Sequence, residues 1–330
     1  AVAATCARGR VRFRSMRLCI VIINHRTPSL VLDAVSSLDG QVDPVTDQVI
    51  VVDNDSRDDS VPRIDAAIAQ RGYGAWCSLV RAPRNSGFAA GNNLGIRAAD
   101  ADFYLLLDCE TRVAPGAIAT LLSEIKAHPL VGIAGPRLET PDGKAQVSCF
   151  RDHSPVSELL AAAETRPLTA ALSCFDLSLA VGDEPRDVDW VSFACVLLRR
   201  EVIERVGLLD EGYFMFFEDS DYCRAARESG FRVRYFPNAR AVYRAISPDL
   251  LGAVSDAQRA ATPRKRQPRS FYKSRARYFR KGYGPLGPWA ANTCWQLGRS
   301  VSLGRELAGR KVPHLAERAW LDNWIDAFKL

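Results

Sequence analysis

Unbroken apolar runs alternate with segments of helical period along the first third of the chain. LCIVII at residues 18–23 reads as a strand buried on both faces, and PSLVLDAVSSLDG at 28–40 as a helix with Val31, Val35 and Leu38 along one side. QVIVVDNDS at 48–56 predicts a second strand ending in a polar turn, VPRIDAAIAQRG at 61–72 a helix closed by Gly72, and CSLVRAP at 77–83 a third strand. GFAAGNNLGIRAA at 87–99 reads as a loop running into a helix that Asn92 and Asn93 are placed to cap. DFYLLLD at 102–108 is a further strand with a polar tip. This alternation is the signature of a parallel sheet with crossover helices. Ligands in such sheets bind at the carboxyl ends of the strands. The tips Asn24, His25 and Arg26, then Asp53, Asn54 and Asp55, then Arg84 and Asn85, then Asp108, Cys109 and Glu110 should therefore converge on one crevice.

Farther along, 115–127 has helical period and 141–143 (PDG) is a turn signal. Residues 152–187 are weakly patterned and read as a loop with room for one helix. WVSFACVLLRR at 190–200 predicts one strand, VIERVG a short helix, YCRAARESG a helix stopped by Gly230, and RVRYFP and ARAVYRA two more strands. Beyond Pro263 the pattern turns helical and basic.

Composition narrows the class. A chain of 330 residues, 47% apolar, buries a core large enough for one sizeable domain, and it has no run of 18 apolar residues to cross a membrane. Nine cysteines, an odd number without a C-x-x-C pair, point to a reducing, cytoplasmic setting without a disulfide framework or structural zinc. Residues 1–15 hold four arginines, no acid and no apolar segment of the kind a secretion signal needs, so they read as a leader, with translation expected to start at Met16. The net charge of +6 is concentrated: residues 264–281 carry nine Lys or Arg and no acid, leaving the remainder net negative. No nucleic-acid-binding module accompanies that charge, so no nucleic acid partner is expected. With Phe271, Tyr272, Tyr278 and Phe279 interleaved, the stretch fits a helix facing an anionic membrane surface, each cation contributing about 1 kcal/mol. A helix packing its aromatics on the preceding domain fits equally.

Residues 207–224, GLLDEGYFMFFEDSDYCR, carry the sharpest chemical signal. Asp210, Glu218, Asp219 and Asp221 crowd an aromatic run, and a carboxylate beside such a wall loses solvation and becomes a better proton acceptor. A buried aromatic strand leading into an acidic helix N-terminus would also explain the pattern.

In order and type, IVIINHRTPSLVLDAVSSL, VVDNDSRDDS, RNSGFAAGNNLGI, YLLLDCET, DWVSFACVLLRREVIERVGLLDEGYFMFFEDSDYCR and FPNARAV resemble the inverting family 2 glycosyltransferases of the GT-A fold, the bacterial rhamnosyltransferase-like branch above all. The likeness spans residues 17–245, with a fainter echo at 270–284. It implies an α/β fold with a mixed, mainly parallel, Rossmann-like sheet flanked by helices. A glycosyltransferase domain over 16–250 and a helical basic extension over 251–330 follow from it. The implied function is inverting transfer of a sugar from dTDP-rhamnose or a UDP-hexose to a saccharide or lipid-linked acceptor at the cytoplasmic face of the membrane, in cell-envelope polysaccharide synthesis. Residue by residue, the resemblance makes Asp219 the general base. It gives nucleotide-sugar contact to Asn24, Asp53, Asn54, Asp55, Asn85, Gly87, Gly91 and Asp108, and a place by the sugar or acceptor to Trp190, whose ring face would pack on a pyranose, and to Glu218 and Asp221. Glu110, with Asp108, would hold Mg or Mn. Where relatives carry a histidine after the FPNARAV strand this chain has Tyr243 and Arg244, so Arg244 is expected to supply positive charge to the leaving diphosphate. A degenerate protein that binds a nucleotide sugar or glycan without turnover is the alternative. A nucleotidylyltransferase would need a glycine-rich loop after the first strand, and NHRTPS has no glycine.

Overall fold

The structure, a computed structural model, describes residues 16–244, 266–310 and 318–329. The expected leader at 1–15, and Arg264 and Lys265 of the basic stretch, lie outside the described residues. Four parallel strands form the first half of the sheet: β1 (Met16–Asn24), β2 (Asp47–Asp53), β3 (Cys77–Arg81) and β4 (Ala101–Leu107), in the order β3-β2-β1-β4. They are connected by α1 (Pro28–Ser36), α2 (Ser60–Gln70) and α3 (Phe88–Ala98). Successive side chains of a strand face opposite sides, so Leu18, Ile20 and Ile22 enter one core with Val31, Ile64 and Ile118, while Cys19 and Val21 enter another with Ala89, Ile96 and Tyr222. A sheet buried on both faces explains why these strands read as continuous apolar runs.

The second half mixes directions. After β5 (Thr111–Val113), α4 (Ala117–Ala127), β6 (Val131–Glu139), β7 (Cys149–Phe150), α5 (Pro155–Ala163), α6 (Arg166–Ala171), β8 (Arg186–Val188) and β9 (Trp190–Val191), strand β10 (Cys195–Arg199) inserts antiparallel between β4 and β6. Helices α7 (Arg200–Val206) and α8 (Glu218–Glu228) precede β11 (Arg232–Tyr243), which runs parallel to β6 and antiparallel to β5 and β8.

Three expectations change. The single strand expected over 190–200 is broken: β9 pairs with β7 in a small separate sheet, and Ser192 Oγ accepts the Ala194 N–H at 3.2 Å in the bend before β10. The two strands expected around Pro237 are one, with a register shift between Phe236 and Arg240 where Pro237 has no N–H to give the ladder. Residues 152–187 hold two helices and a strand, α5 being set by a Ser154/Ser157 capping box with a proline in its first turn.

Past the sheet, a basic helix (Arg269–Tyr283) and a long helix (Gly287–Leu307) lie against the same body. Gly298 lets the long helix approach α5, where an added Cβ would stand 2.2 Å from the Leu159 carbonyl oxygen.

Candidate active site

Strands β1 and β2 end side by side and their tips are knitted together. Asp53 is buried and its Oδ1 accepts from Asn24 Nδ2 at 2.7 Å and Ser56 Oγ at 2.5 Å, while its Oδ2 accepts the Ser56 N–H at 3.2 Å. Ser56 Oγ also accepts from Asn24 Nδ2 and the Arg26 N–H, each at 3.0 Å. The Asx-type turn is therefore built from its own side chains, with Asn24 and Asp53 setting its shape. Asp55 has a left-handed backbone (φ 56°), and the Arg57 guanidinium at 2.8 Å holds its carboxyl below the usual range.

The glycine-rich loop closes on this tip. Asn54 Nδ2 donates to Asn85 Oδ1 at 3.0 Å and to the Gly87 carbonyl at 3.1 Å, and Asn85 Oδ1 also accepts the Gly87 N–H at 3.0 Å. Gly87 is the N-cap of α3 at φ 91°, and a Cβ there would sit 2.0 Å from the Phe214 carbonyl oxygen. Its close approach is thus to the acidic-aromatic loop, and that of Gly91 is to the Ile23 side chain. Asn92 and Asn93 do not cap α3, since they lie inside it; Asn93 instead donates to the Leu209 carbonyl at 2.8 Å and accepts the Leu209 N–H at 3.0 Å.

Beyond β4, Asp108 Oδ1 accepts the Glu110 N–H at 2.9 Å and the Asp108 N–H reaches the Ala194 carbonyl at 3.0 Å. Burial raises the Asp108 pKa, and pushes the neighbouring Cys109 thiol to about 12, so Cys109 stays a thiol, 3.5 Å from Thr27 Oγ1. The Tyr243 phenol is raised by burial and by the charges of Asp108, Glu110 and Asp219, which places it among these carboxylates. No cluster of three His, Cys, Asp or Glu suited to a metal occurs among the described residues. Two carboxylates on one tip nonetheless fit Mg or Mn, which are commonly held by one or two carboxylates together with substrate phosphates. Arg244 Nη1 lies 3.2 Å from Asp33 of α1, an acid also paired with Arg112 at 2.9 Å.

The acidic-aromatic segment is a loop, not a strand. Phe216 (φ 71°) and Phe217 (φ 69°) are both left-handed, and α8 starts directly after them. Asp219, in its first turn, accepts the Ser220 N–H at 2.8 Å and interacts with the Phe193 N–H, while burial raises its pKa to about 6. Burial and the charge of Asp219 drive Glu218 well above the carboxylate range, favouring its neutral form, and its Oε2 is buried without a hydrogen-bond partner. Asp221 is raised by burial but countered by Lys281 Nζ at 2.6 Å.

Trp190 does not present a face to a sugar. It is buried, stacked on Phe150 (4.0 Å) and on His153 (5.6 Å), with its indole N–H on the Arg151 carbonyl at 2.7 Å. His153 also lies 4.7 Å from Phe217, and burial lowers its pKa to about 3, keeping it neutral.

A circuit of contacts results. The β1 tip joins the β2 tip, the glycine-rich loop, and through the Phe88 N–H to Phe214 O bond (2.7 Å) the acidic-aromatic loop; in the other direction Thr27 reaches Cys109, Asp108 reaches Ala194, and Phe193 reaches Asp219. The predicted tips of β1, β2, β4 and α8 are thereby brought together. Ser56 and His153 were missed, and Asn93 was expected to cap α3 rather than to bond Leu209. The D-x-x-S spacing of Asp53 and Ser56 was a legible turn signal, whereas nothing local marks His153. A separate cavity of about 590 Å³, lined by Arg266, Tyr272, Asp322 and neighbours, shares no residue with the circuit.

A mixed sheet whose strand tips gather two carboxylates, a polar turn and a desolvated aspartate is the arrangement of a GT-A fold. Residues 19–164 match the family described as Glycosyl transferase family 2. An N-acetylglucosaminyl-diphospho-decaprenol L-rhamnosyltransferase of Mycobacterium tuberculosis is 29% identical over 46% of this chain and 51% of its own length. A low-salt glycan biosynthesis hexosyltransferase of Haloferax volcanii is 24% identical over 66% of this chain and 63% of its own. The chain thus spans about half to two-thirds of these relatives. Its fold matches a mannosyltransferase of Pyrobaculum calidifontis solved with GDP-Man and manganese (TM-score 0.55, 16% identity, 90% of this chain and 76% of that one). Over residues 19–164 the chain is thus similar to the family 2 glycosyltransferases, and its fold is of the GT-A kind. Asp219 lies beyond the residues matched to the family.

Proposed function

We propose that the protein transfers one sugar from a nucleoside diphosphate donor to a saccharide or lipid-linked saccharide, with inversion and with Asp219 as general base. The observation that carries this reading is the Asp219 carboxylate itself: desolvated, titrating near 6, oriented by the Ser220 and Phe193 N–H groups, and linked through Phe193 and Ala194 to the Asp108 tip. A base poised near the working pH is the most effective proton acceptor. As the acceptor oxygen bonds to the anomeric carbon, its proton passes to Asp219, and the bond from that carbon to the diphosphate oxygen breaks on the opposite face.

On the donor side, Asn24, Asp53 and Asn54 shape the turn that receives the base, with Asp55, Asn85, Gly87 and Gly91 beside it. Asp108 and Glu110 would hold a divalent ion if one is bound, and such an ion supplies positive charge to the diphosphate. Deoxythymidine-diphosphate rhamnose is the favoured donor because of the rhamnosyltransferase relative. A lipid-linked acceptor is supported by the apolar face that Leu286, Trp289, Leu297, Trp320 and Phe328 leave exposed beside the basic helix. No helix among the described residues is long and apolar enough to cross a membrane.

The test is nucleoside-diphosphate release from thymidine and uridine sugar donors, with and without chelator, offering a water-soluble saccharide or a lipid-linked one in anionic vesicles. Acceptor-dependent release from one donor, faster with the lipid-linked acceptor, is expected. Donor binding without release under every condition would make the protein a binder and overturn the reading.

A further inference from the structure

The loop that leads into Asp219 is strained and is gripped from two sides. Two successive left-handed phenylalanines cost about 1–3 kcal/mol each and persist only where surroundings hold them. On one side α3 holds the loop, through Phe88 on the Phe214 carbonyl and Asn93 on Leu209. On the other side stands the basic helix. Ser274 Oγ donates to the Met215 carbonyl at 2.9 Å, Arg277 Nη2 binds both Asp210 oxygens at 2.8 and 2.9 Å, and Lys281 Nζ bridges Asp221 at 2.6 Å and Asp210 at 3.4 Å. The rings follow the charges: Phe271 packs on Phe216 (5.6 Å) and Phe217 (5.4 Å), and Tyr278 on Phe217 (5.5 Å). Gly212 makes room for this, since a Cβ there would meet the Arg277 guanidinium carbon at 2.2 Å.

We propose that Arg277 and Lys281 are positioning residues, and that the basic helix holds the loop 210–217 in the shape that sets the α8 carboxylates. The inference rests on the reading of Asp219 as base. It assigns to internal use part of a charge run that the sequence alone offers to a membrane. Of that run, Arg275 is likewise bound by Glu158 and Asn292, Arg266 by Asp322, and Arg280 by the Asp326 carbonyl.

Charge exchange tests it. Arg277→Glu and Asp210→Arg, singly and together, and Lys281→Met beside Lys281→Arg, are compared in the full chain for kcat, donor KM and amide hydrogen exchange across 210–217. The single reversals and Lys281→Met should lower kcat by about tenfold or more at nearly unchanged donor KM, as a small misplacement of a reacting group does, with faster exchange in the loop. The double reversal and Lys281→Arg should recover most of both. Unchanged exchange and kcat in Arg277→Glu and Lys281→Met would overturn the proposal, as would loss of melting temperature and kcat in parallel without recovery in the double reversal. Hydrogen exchange requires no activity, so a loop that loosens and recovers as expected, in a protein indifferent to Asp219→Asn, would isolate the failure in the base assignment.

Discussion

As the proposed base, Asp219 would owe its chemistry to where it is starved of water. A helix N-terminus favours an ionised acid, yet burial beside Phe217 and the Phe193 bend wins, and the pKa rises to about 6. Activity should therefore fall as pH drops through about 6, a limb visible in the kcat profile, whereas a limb at the ordinary aspartate value would deny the desolvation. The same shift has a stability sign. A carboxyl whose folded pKa is raised favours the folded state fully only below its unfolded value, and that contribution is lost as pH rises through about 6. Asp219→Asn should consequently be more stable than wild type at pH 8, by about 1–3 kcal/mol, and nearly equal to it at pH 4 in denaturant titrations. Residue types alone singled out the acidic-aromatic segment and the polar strand tips, and the family resemblance pointed to Asp219 within it. They could not reveal that Trp190 is buried against Phe150 and His153 or that Arg244 pairs with Asp33, because both facts depend on partners distant in sequence.

Elements are held to one another by a few buried polar contacts. Arg275 of the basic helix is almost fully buried against Glu158 of α5 (2.9 Å) and Asn292 of the long helix (2.6 Å), so one guanidinium ties three helices. Breaking such a pair from one side leaves the other charge buried and costs about 3–5 kcal/mol. Arg275→Ala should lose that much in urea unfolding, and Arg275→Met with Glu158→Leu should lose far less; equal losses would mean the pairing itself is not what matters. Regular elements were legible wherever period and length were strong, as in β1, β2, α2 and β4. The break at 192–194 was not, because WVSFACVLLRR is apolar throughout and only the Ser192 turn and the partner strands reveal it. In the weakly patterned 152–187 segment, the S-P-V-S cap of α5 is the one strong local signal.

At the scale of the molecule, the parallel half of the sheet presents the Asn24, Asp53 and Asp108 tips, the antiparallel strand β10 brings Phe193 and Ala194 beside Asp219 and Asp108, and the basic helix packs against the loop that precedes Asp219. The parallel direction of the first strands followed from the alternation of apolar runs and helices. The packing of the basic helix did not, since a basic run with aromatics is equally a membrane face or a packing face until its partners are known. The most direct test of the account is acceptor-dependent sugar transfer by wild type and Asp219→Asn, with donor affinity measured in parallel and the anomeric configuration of the product read by NMR. The account predicts an inverted product from wild type, and in the variant a donor affinity within about threefold of wild type with transfer slowed about 10²–10⁴-fold. A retained anomeric configuration, or transfer undiminished in Asp219→Asn, would contradict it.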